Sequence, residues 1–309
     1  MDMYQKRKAR AEKKNNNQEE KLTKVGINWY PGHMAKTKRE IKEKINLIDI
    51  VIEVIDARIP FSSKNKDVDA IVGNKPRILI MSKMDLCDME KALKWKKYYE
   101  DKGYKVIMVD LLNNKNVNEI INITNEMGKS LNEKRRLKGL KDRRTRVLIL
   151  GIPNVGKSTL INRLVNKKAT NVGNRPGVTK NLEWIRINKD LELLDTPGIL
   201  WPKLDNQELA LNLASMTAIK EEILDTEEVA FYIINKIKKL YPDSLKSRYK
   251  LEDLGGDIDI VTNIGKRIGA CKGNEINYER VYSTVLRDLR EGLLGKVTFD
   301  VPNDSIITK

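Results

Sequence analysis

Residues 151–158 read Gly-Ile-Pro-Asn-Val-Gly-Lys-Ser, the G-x-x-x-x-G-K-[ST] spacing of a Walker A loop. That spacing serves phosphate chemistry. The glycines let backbone N–H groups turn toward phosphate oxygens, and the first turn of a following helix adds a favourable partial charge. Lys157 is placed for the β- and γ-phosphates and Ser158 for Mg²⁺, while Asn154, Val155, Gly156 and Thr159 complete the nucleotide-contacting set. The context agrees: the apolar run RVLIL predicts a strand into the loop, and TLINRLVN predicts a helix out of it.

Two further pieces follow in order. The run Leu191–Leu194 predicts a strand ending in Asp195-Thr196-Pro197-Gly198. An acid at that strand end can hold Mg²⁺ through water, and Gly198 can present its N–H to the γ-phosphate where a side chain would obstruct. Between loop and strand, Pro176-Gly177-Val178-Thr179 offers Thr179 as a second hydroxyl for Mg²⁺. The three together indicate a nucleotide hydrolase of the GTPase type. A base-reading segment is absent downstream but present upstream: Ser82-Lys83-Met84-Asp85 directly follows the strand-like run Ile78–Met81. The Asp85 carboxylate can accept from guanine N1 and N2, a donor pair adenine lacks. Lys83 can lay its stem along the base. The next strand, expected over 105–109, leads into Asp110-Leu111.

The order is therefore reversed, with base recognition first and phosphate binding later. With Asn28-Trp29-Tyr30-Pro31-Gly32-His33-Met34-Ala35-Lys36, Asp56-Ala57-Arg58-Ile59-Pro60, GIPNVGKS, PGVT and DTPGIL, the chain resembles the circularly permuted GTPases of the ribosome biogenesis GTPase A family. The likeness runs from about residue 26 into the C-terminal region, more weakly after 205. It implies an α/β P-loop GTPase fold, a doubly wound and mostly parallel sheet in permuted order, followed by a smaller all-α domain. It implies GTP or GDP with Mg²⁺, and as partner the precursor of the large ribosomal subunit, both rRNA and ribosomal proteins. Off the ribosome a monomer is expected. Ser82 stands where the family has Asn.

Many GTPases carry a Gln just after D-x-x-G to orient the attacking water; here Ile199 and Leu200 occupy that region and cannot hydrogen-bond it. Two substitutes stay open. His33 opens the helix that would follow the D-T-P-G switch in an unpermuted chain, and the resemblance implies a catalytic role for it. Alternatively Asn154 matches the position by which related GTPases hold K⁺ beside the phosphates, which would offset charge there.

Composition limits the rest. The chain has 309 residues, a net charge of +16, two cysteines and one histidine. Cys87 and Cys271 are far apart, so a disulfide scaffold and a cysteine zinc cluster are excluded, and one histidine excludes any two-histidine site. No apolar stretch reaches the ~18 residues of a membrane span, and a cytoplasmic protein is expected. The basic excess favours polyphosphate partners, although aromatics at 6 % leave few residues for stacking on bases. Residues 1–26 read as a disordered basic arm, 27–204 as the permuted GTPase domain and 205–309 as a helical RNA-binding domain with Lys266, Arg267, Lys272, Arg280, Arg287 and Arg290 on its helices. Strands are expected to cease after about 205, with helices near 206–220, 226–240, 258–271 and 277–292. Residues 129–146 read as a basic connector joining the ends of the unpermuted fold. Beside the reading of a GTPase that assembles the large subunit stand a nucleotide-regulated RNA-binding scaffold with negligible turnover and an ATPase in RNA handling.

Overall fold

The computed structural model describes residues 32–165, 183–197, 206–216, 225–272 and 275–302. They form two units, one built on a sheet and one helical.

The sheet unit opens with α1 (Gly32–Lys44) and a short 3₁₀ turn (Ile45–Leu47) that lead into strand β1 (Ile50–Asp56). Next come α2 (Lys66–Val72), β2 (Arg77–Ser82), α3 (Met89–Asp101), β3 (Lys105–Met108) and α4 (Val117–Leu137). The second half comprises β4 (Thr145–Leu150), α5 (Lys157–Val165), β5 (Glu183–Arg186) and β6 (Leu191–Asp195). The sheet order is β3-β2-β1-β4-β6-β5, parallel except for β5. This is the doubly wound, mostly parallel architecture expected from alternating strands and helices. Every residue of β1 is buried, as a central strand covered on both faces requires. The two halves meet where β1 pairs with β4 in the register Ile50↔Val147 through Glu53↔Leu150.

Helix α3 is started by Asp88, whose carboxylate accepts from the Lys91 N–H. Its inner face packs Ala92, Trp95 and Tyr99 onto the sheet with Leu79, Met81 and Met108. Phe61, Tyr98 and Tyr104 join that cluster, so these aromatics form a core rather than a base-stacking surface.

Helix α4 changes the reading of 129–146. Its residues 129–137 belong to a 21-residue helix, and only 138–144 form the connection to β4. Where α4 crosses the start of β4 the helix must come close. A Cβ on Gly128 would lie 2.3 Å from Thr145 Oγ1, so only glycine fits.

The helical unit contains α6 (Gln207–Ser215), α7 (Thr226–Leu240), α8 (Pro242–Tyr249), α9 (Asp257–Arg267) and α10 (Tyr278–Arg290). Val229, Ile233 and Ile237 of α7, Ile260 and Ile264 of α9, and Val281, Val285 and Leu289 of α10 are buried. Their four-residue spacing gives each helix one apolar face. Asp288, fully buried, is held by Arg248 Nε at 2.7 Å and by the Tyr249 hydroxyl at 3.1 Å. Two expectations change here. Two two-residue strands, Cys271–Lys272 and Glu275–Ile276, pair antiparallel between the helices, so strands do not cease entirely. Residues 295–302 belong to the sheet unit, which shortens the helical region expected over 205–309.

Candidate functional site

The chemistry-bearing loops lie at the C-terminal ends of the parallel strands: 82–85 after β2, 110–113 after β3, 151–156 after β4, and Asp195 at the end of β6. Open α/β sheets bind ligands along that edge.

The phosphate loop is shaped by backbone constraints. A Cβ at Gly151 would sit 2.4 Å from the Val54 carbonyl oxygen, because the loop turns hard against β1. Asn154 adopts a left-handed conformation with φ 59°. Helix α5 starts at Lys157 itself, and Leu160, Ile161 and Leu164 anchor it. Lys157 is only 6 % exposed; its ammonium donates to the carbonyls of Gly151 at 3.0 Å and Ile152 at 2.9 Å. Burial lowers its pKa to about 8 against the opposing pull of Asp195. Ser158 and Thr159 are half-buried in the first turn of α5. Asp195 is 1 % exposed, and the Thr196 hydroxyl beside it is pinned to the Ile149 carbonyl at 2.7 Å.

The base-side loop is tied directly to the phosphate loop. The Ser82 hydroxyl oxygen lies 2.6 Å from the Val155 carbonyl oxygen and 2.9 Å from that of Ile55, joining the ends of β1 and β2 to the phosphate loop with one side chain. Arg163 of α5 donates from Nε to the Leu111 carbonyl at 2.9 Å and from Nη2 to that of Leu112 at 2.8 Å. Asp110 shapes that third loop by accepting from the N–H groups of Leu112 and Asn113 and from Asn113 Nδ2. These three bonds hold the Asp110 carboxyl below the usual range although burial opposes them. Asp85 is half-buried; burial raises its pKa, and the nearby Asp110 carboxylate adds to the rise.

Beneath this loop lies a buried charged group whose role the sequence did not reveal. Asp56, at the end of β1, accepts from Arg58 through its backbone N–H at 3.0 Å, Nε at 3.0 Å and Nη2 at 2.8 Å. Its other oxygen also meets Lys83 Nζ at 2.9 Å. Burial alone would raise the Asp56 pKa, but Arg58 and Lys83 outweigh it and hold the carboxyl well below the carboxylate range. Lys83 itself sits at φ 57°, and burial lowers its pKa against the pull of Asp56. The signal was Asp-x-Arg at the mouth of a buried strand whose one other polar residue is Glu53, where charges persist only when paired.

The C-terminal segment braces the same loops. Val297 N–H donates to the Leu86 carbonyl and Phe299 N–H to that of Arg58. The Asp300 carboxylate accepts from the N–H groups of Phe61 and Ser62, both at 2.8 Å, and from the Ser62 hydroxyl at 2.7 Å. Trp95 Nε1 donates to the Asp300 carbonyl at 2.9 Å.

The structure thus brings together Ser82, Lys83 and Asp85 with Asn154, Val155, Gly156 and Lys157 through shared bonds and adjoining strand ends. Ser158, Thr159 and Asp195 flank the same loop. His33 lies in the first turn of α1, and its side chain is outside the described residues; so are Thr179, Gly198 and the arm 1–26. For a divalent cation the described donors are a hydroxyl (Ser158) and a carboxylate (Asp195), hard oxygens of the kind Mg²⁺ takes alongside phosphate and water. Among the described residues no cluster of three metal-binding side chains exists, and no helix is long and apolar enough to cross a membrane.

A family model described as a 50S ribosome-binding GTPase matches residues 146–263, beginning at β4 and leaving the base-side loop upstream, as reversed order requires. The ribosome biogenesis GTPase A of Bacillus licheniformis is 44 % identical over 280 residues, covering 90 % of this chain and 99 % of that protein. The chain belongs to the ribosome biogenesis GTPase A family. It is a GTP hydrolase acting in ribosome biogenesis, and its ligand is a guanine nucleotide, with which the family typically uses Mg²⁺. The family's protein from Thermotoga maritima is 32 % identical over 90 % of this chain and 95 % of its own length. Among solved structures, GNP-bound YlqF from Thermotoga maritima superimposes with a TM-score of 0.59 at 26 % identity, covering 87 % of this chain and 99 % of that one.

Proposed function

We propose that this GTPase couples GTP binding and hydrolysis to maturation of the large ribosomal subunit, contacting rRNA and ribosomal proteins of the precursor in the cytoplasm, and that it is a monomer off the ribosome. The observation that supports it most is the 2.6 Å contact between Ser82 and Val155, which draws the base-side and phosphate-side loops to one edge of the sheet despite their reversed order.

In this reading Asp85 accepts from guanine N1 and N2, and Lys83, held from behind by Asp56, lays its stem along the base. Ser82 fixes the distance between base and phosphate subsites. The N–H groups of Asn154, Val155, Gly156 and Thr159 surround the β-phosphate. Lys157 leaves its carbonyl partners for the β- and γ-phosphate oxygens. Ser158 and Thr179 hold Mg²⁺ directly and Asp195 through water; the ion's chemistry is to neutralise charge on the phosphates. Gly198 offers its N–H to the γ-phosphate. For the water there are two contributors, His33 as the residue that orients it and K⁺ on Asn154 as a charge stabiliser. Because residue 198 leads directly toward α6, the γ-phosphate state is passed to the helical unit through the chain itself.

The test is GTP hydrolysis with and without purified large subunits, in K⁺ and in Na⁺. Stimulation by subunits supports the reading, and K⁺ dependence assigns a cation to Asn154. Loss of stimulated turnover with intact GTP binding in His33→Ala assigns the histidine. No stimulation in either salt overturns the coupling to the subunit.

A further inference from the structure

The basic stretch between α4 and β4 is not a slack linker. Gly139 takes φ 73°, Leu140 N–H donates to the Arg135 carbonyl at 3.0 Å, and Arg135 Nε and Nη2 both reach the Lys141 carbonyl at 3.3 Å. The Asn132 amide donates to the Arg143 carbonyl at 3.0 Å. These bonds fold the end of α4 and the returning chain into one ordered tip.

The charge on that tip is concentrated. Residues 134–144 read Lys-Arg-Arg-Leu-Lys-Gly-Leu-Lys-Asp-Arg-Arg, seven basic residues against one acid. Of the acids at hand, Asp142 pairs with Arg136 at 3.4 Å and Asp49 with Arg143 at 2.7 Å, both arginines of the tip, and Glu133 is exposed just before it. Lys134, Lys138 and Lys141 are exposed and have no ion-pair partner among the described residues. The macrodipole of α4 accounts for cations in its last turn, where Lys134, Arg135 and Arg136 lie. It does not account for Lys138, Lys141 and Arg144 beyond the helix end.

Two arginines of the helical unit are placed differently. Arg290 donates from Nε to the Ser215 carbonyl and from Nη2 to that of Ala214, both at 3.1 Å, closing the end of α6. Arg280 Nη1 reaches the Gly269 carbonyl at 3.0 Å. Those two guanidiniums are structural, whereas the lysines of the tip are available.

We propose that this tip docks the phosphate backbone of double-helical RNA. It resembles a phosphate surface rather than a base reader: lysines on an ordered turn, no aromatic side chain, and a large excess of one sign. The tip lies before β4, at the N-terminal edge of the sheet, whereas the nucleotide loops lie at the C-terminal edge about 20 Å away for a six-residue strand. RNA seated there leaves the nucleotide cleft uncovered. Leu137, 88 % exposed, and Leu140, 50 % exposed, sit among the lysines. Two leucines are too few for an apolar face that could bury into lipid. The inference rests on the ribosomal RNA partner proposed above and adds where that RNA touches the sheet unit.

The experiment compares the full-length chain with Lys134→Glu/Lys138→Glu/Lys141→Glu and with the corresponding triple Gln variant. Binding is measured to a short RNA duplex, to purified large subunits and to vesicles of anionic phospholipid over a range of salt. The charge reversal is expected to weaken RNA binding at least tenfold near physiological salt. The slope of log K against log salt should become shallower by roughly one per lost phosphate contact. The Gln variant should lose less, and GDP affinity should not change in either. Unchanged RNA affinity and salt slope in both variants overturn the docking surface while leaving the proposed function standing. Loss confined to the vesicles overturns it in favour of a membrane surface. A wild-type chain that binds neither RNA nor subunits overturns both readings.

Discussion

Ser82 and Val155 are 73 positions apart in the chain, yet the hydroxyl of one lies 2.6 Å from the carbonyl oxygen of the other. That contact spans the seam between the two halves of the permuted sheet and fixes the spacing of the base-side and phosphate-side loops. Ser82→Ala removes it without opening a large cavity. A buried hydrogen bond is worth about 1 kcal/mol, so GDP should bind roughly five-fold more weakly by titration calorimetry. Unchanged affinity would show that the bond does not set the cleft.

Asp85→Asn should exchange base preference. The amide cannot accept both guanine donors, and GDP affinity should fall on the order of a hundredfold while xanthosine diphosphate gains. Equal loss for both nucleotides would place Asp85 outside the base pocket.

Lys157 carries a proton-linkage signature. With a pKa of about 8 before ligand and a phosphate-paired ammonium after, binding above pH 8 must take up a proton. Calorimetry of GDP binding at pH 8.5 in two buffers of different ionisation enthalpy should report uptake of on the order of 0.7 proton, against close to none at pH 6.5. A buffer-independent enthalpy at pH 8.5 would mean that the lysine is already charged.

Asp56→Asn leaves the Arg58 guanidinium buried without its counter-charge, a loss of about 3–5 kcal/mol in urea unfolding at pH 7. The folded-state carboxyl is held below its unfolded value, so its contribution is complete above about pH 4 and disappears as pH falls further. The gap between wild type and variant should narrow progressively as pH falls below about 4; a gap as wide at pH 2.5 as at pH 7 refutes a charge origin.

Asp300→Ala strips three hydrogen bonds from one buried carboxylate near the C-terminus. Thermal unfolding should lose on the order of 2 kcal/mol. A change within a few tenths would mean the segment only rests on the surface.

Much of the site was legible because it is written in short local patterns. The loop 151–158 and the strands before it follow from glycine spacing and apolar runs, and the mostly parallel sheet follows from their alternation with helices. Helix α4 was harder. Its buried positions are Val117, Ile120, Thr124 and Gly128, so the apolar stripe fades halfway and the charges beyond it read as a linker. Strand β5, four residues at the sheet's edge, is too short for its alternation to stand out. Helix α8 is eight residues long with only Leu245 and Tyr249 buried. The brace from 297–300 could not be read at all, since its partners lie more than two hundred positions away and nothing local marks them.

That brace has a practical consequence for anyone dissecting the protein. The helical unit is spliced into the other unit rather than appended to it. A stop codon placed after the D-T-P-G segment would discard the hydrogen bonds that steady Leu86 and Arg58. An isolated catalytic half therefore has to be made by internal deletion that keeps the chain from Gly295 onward.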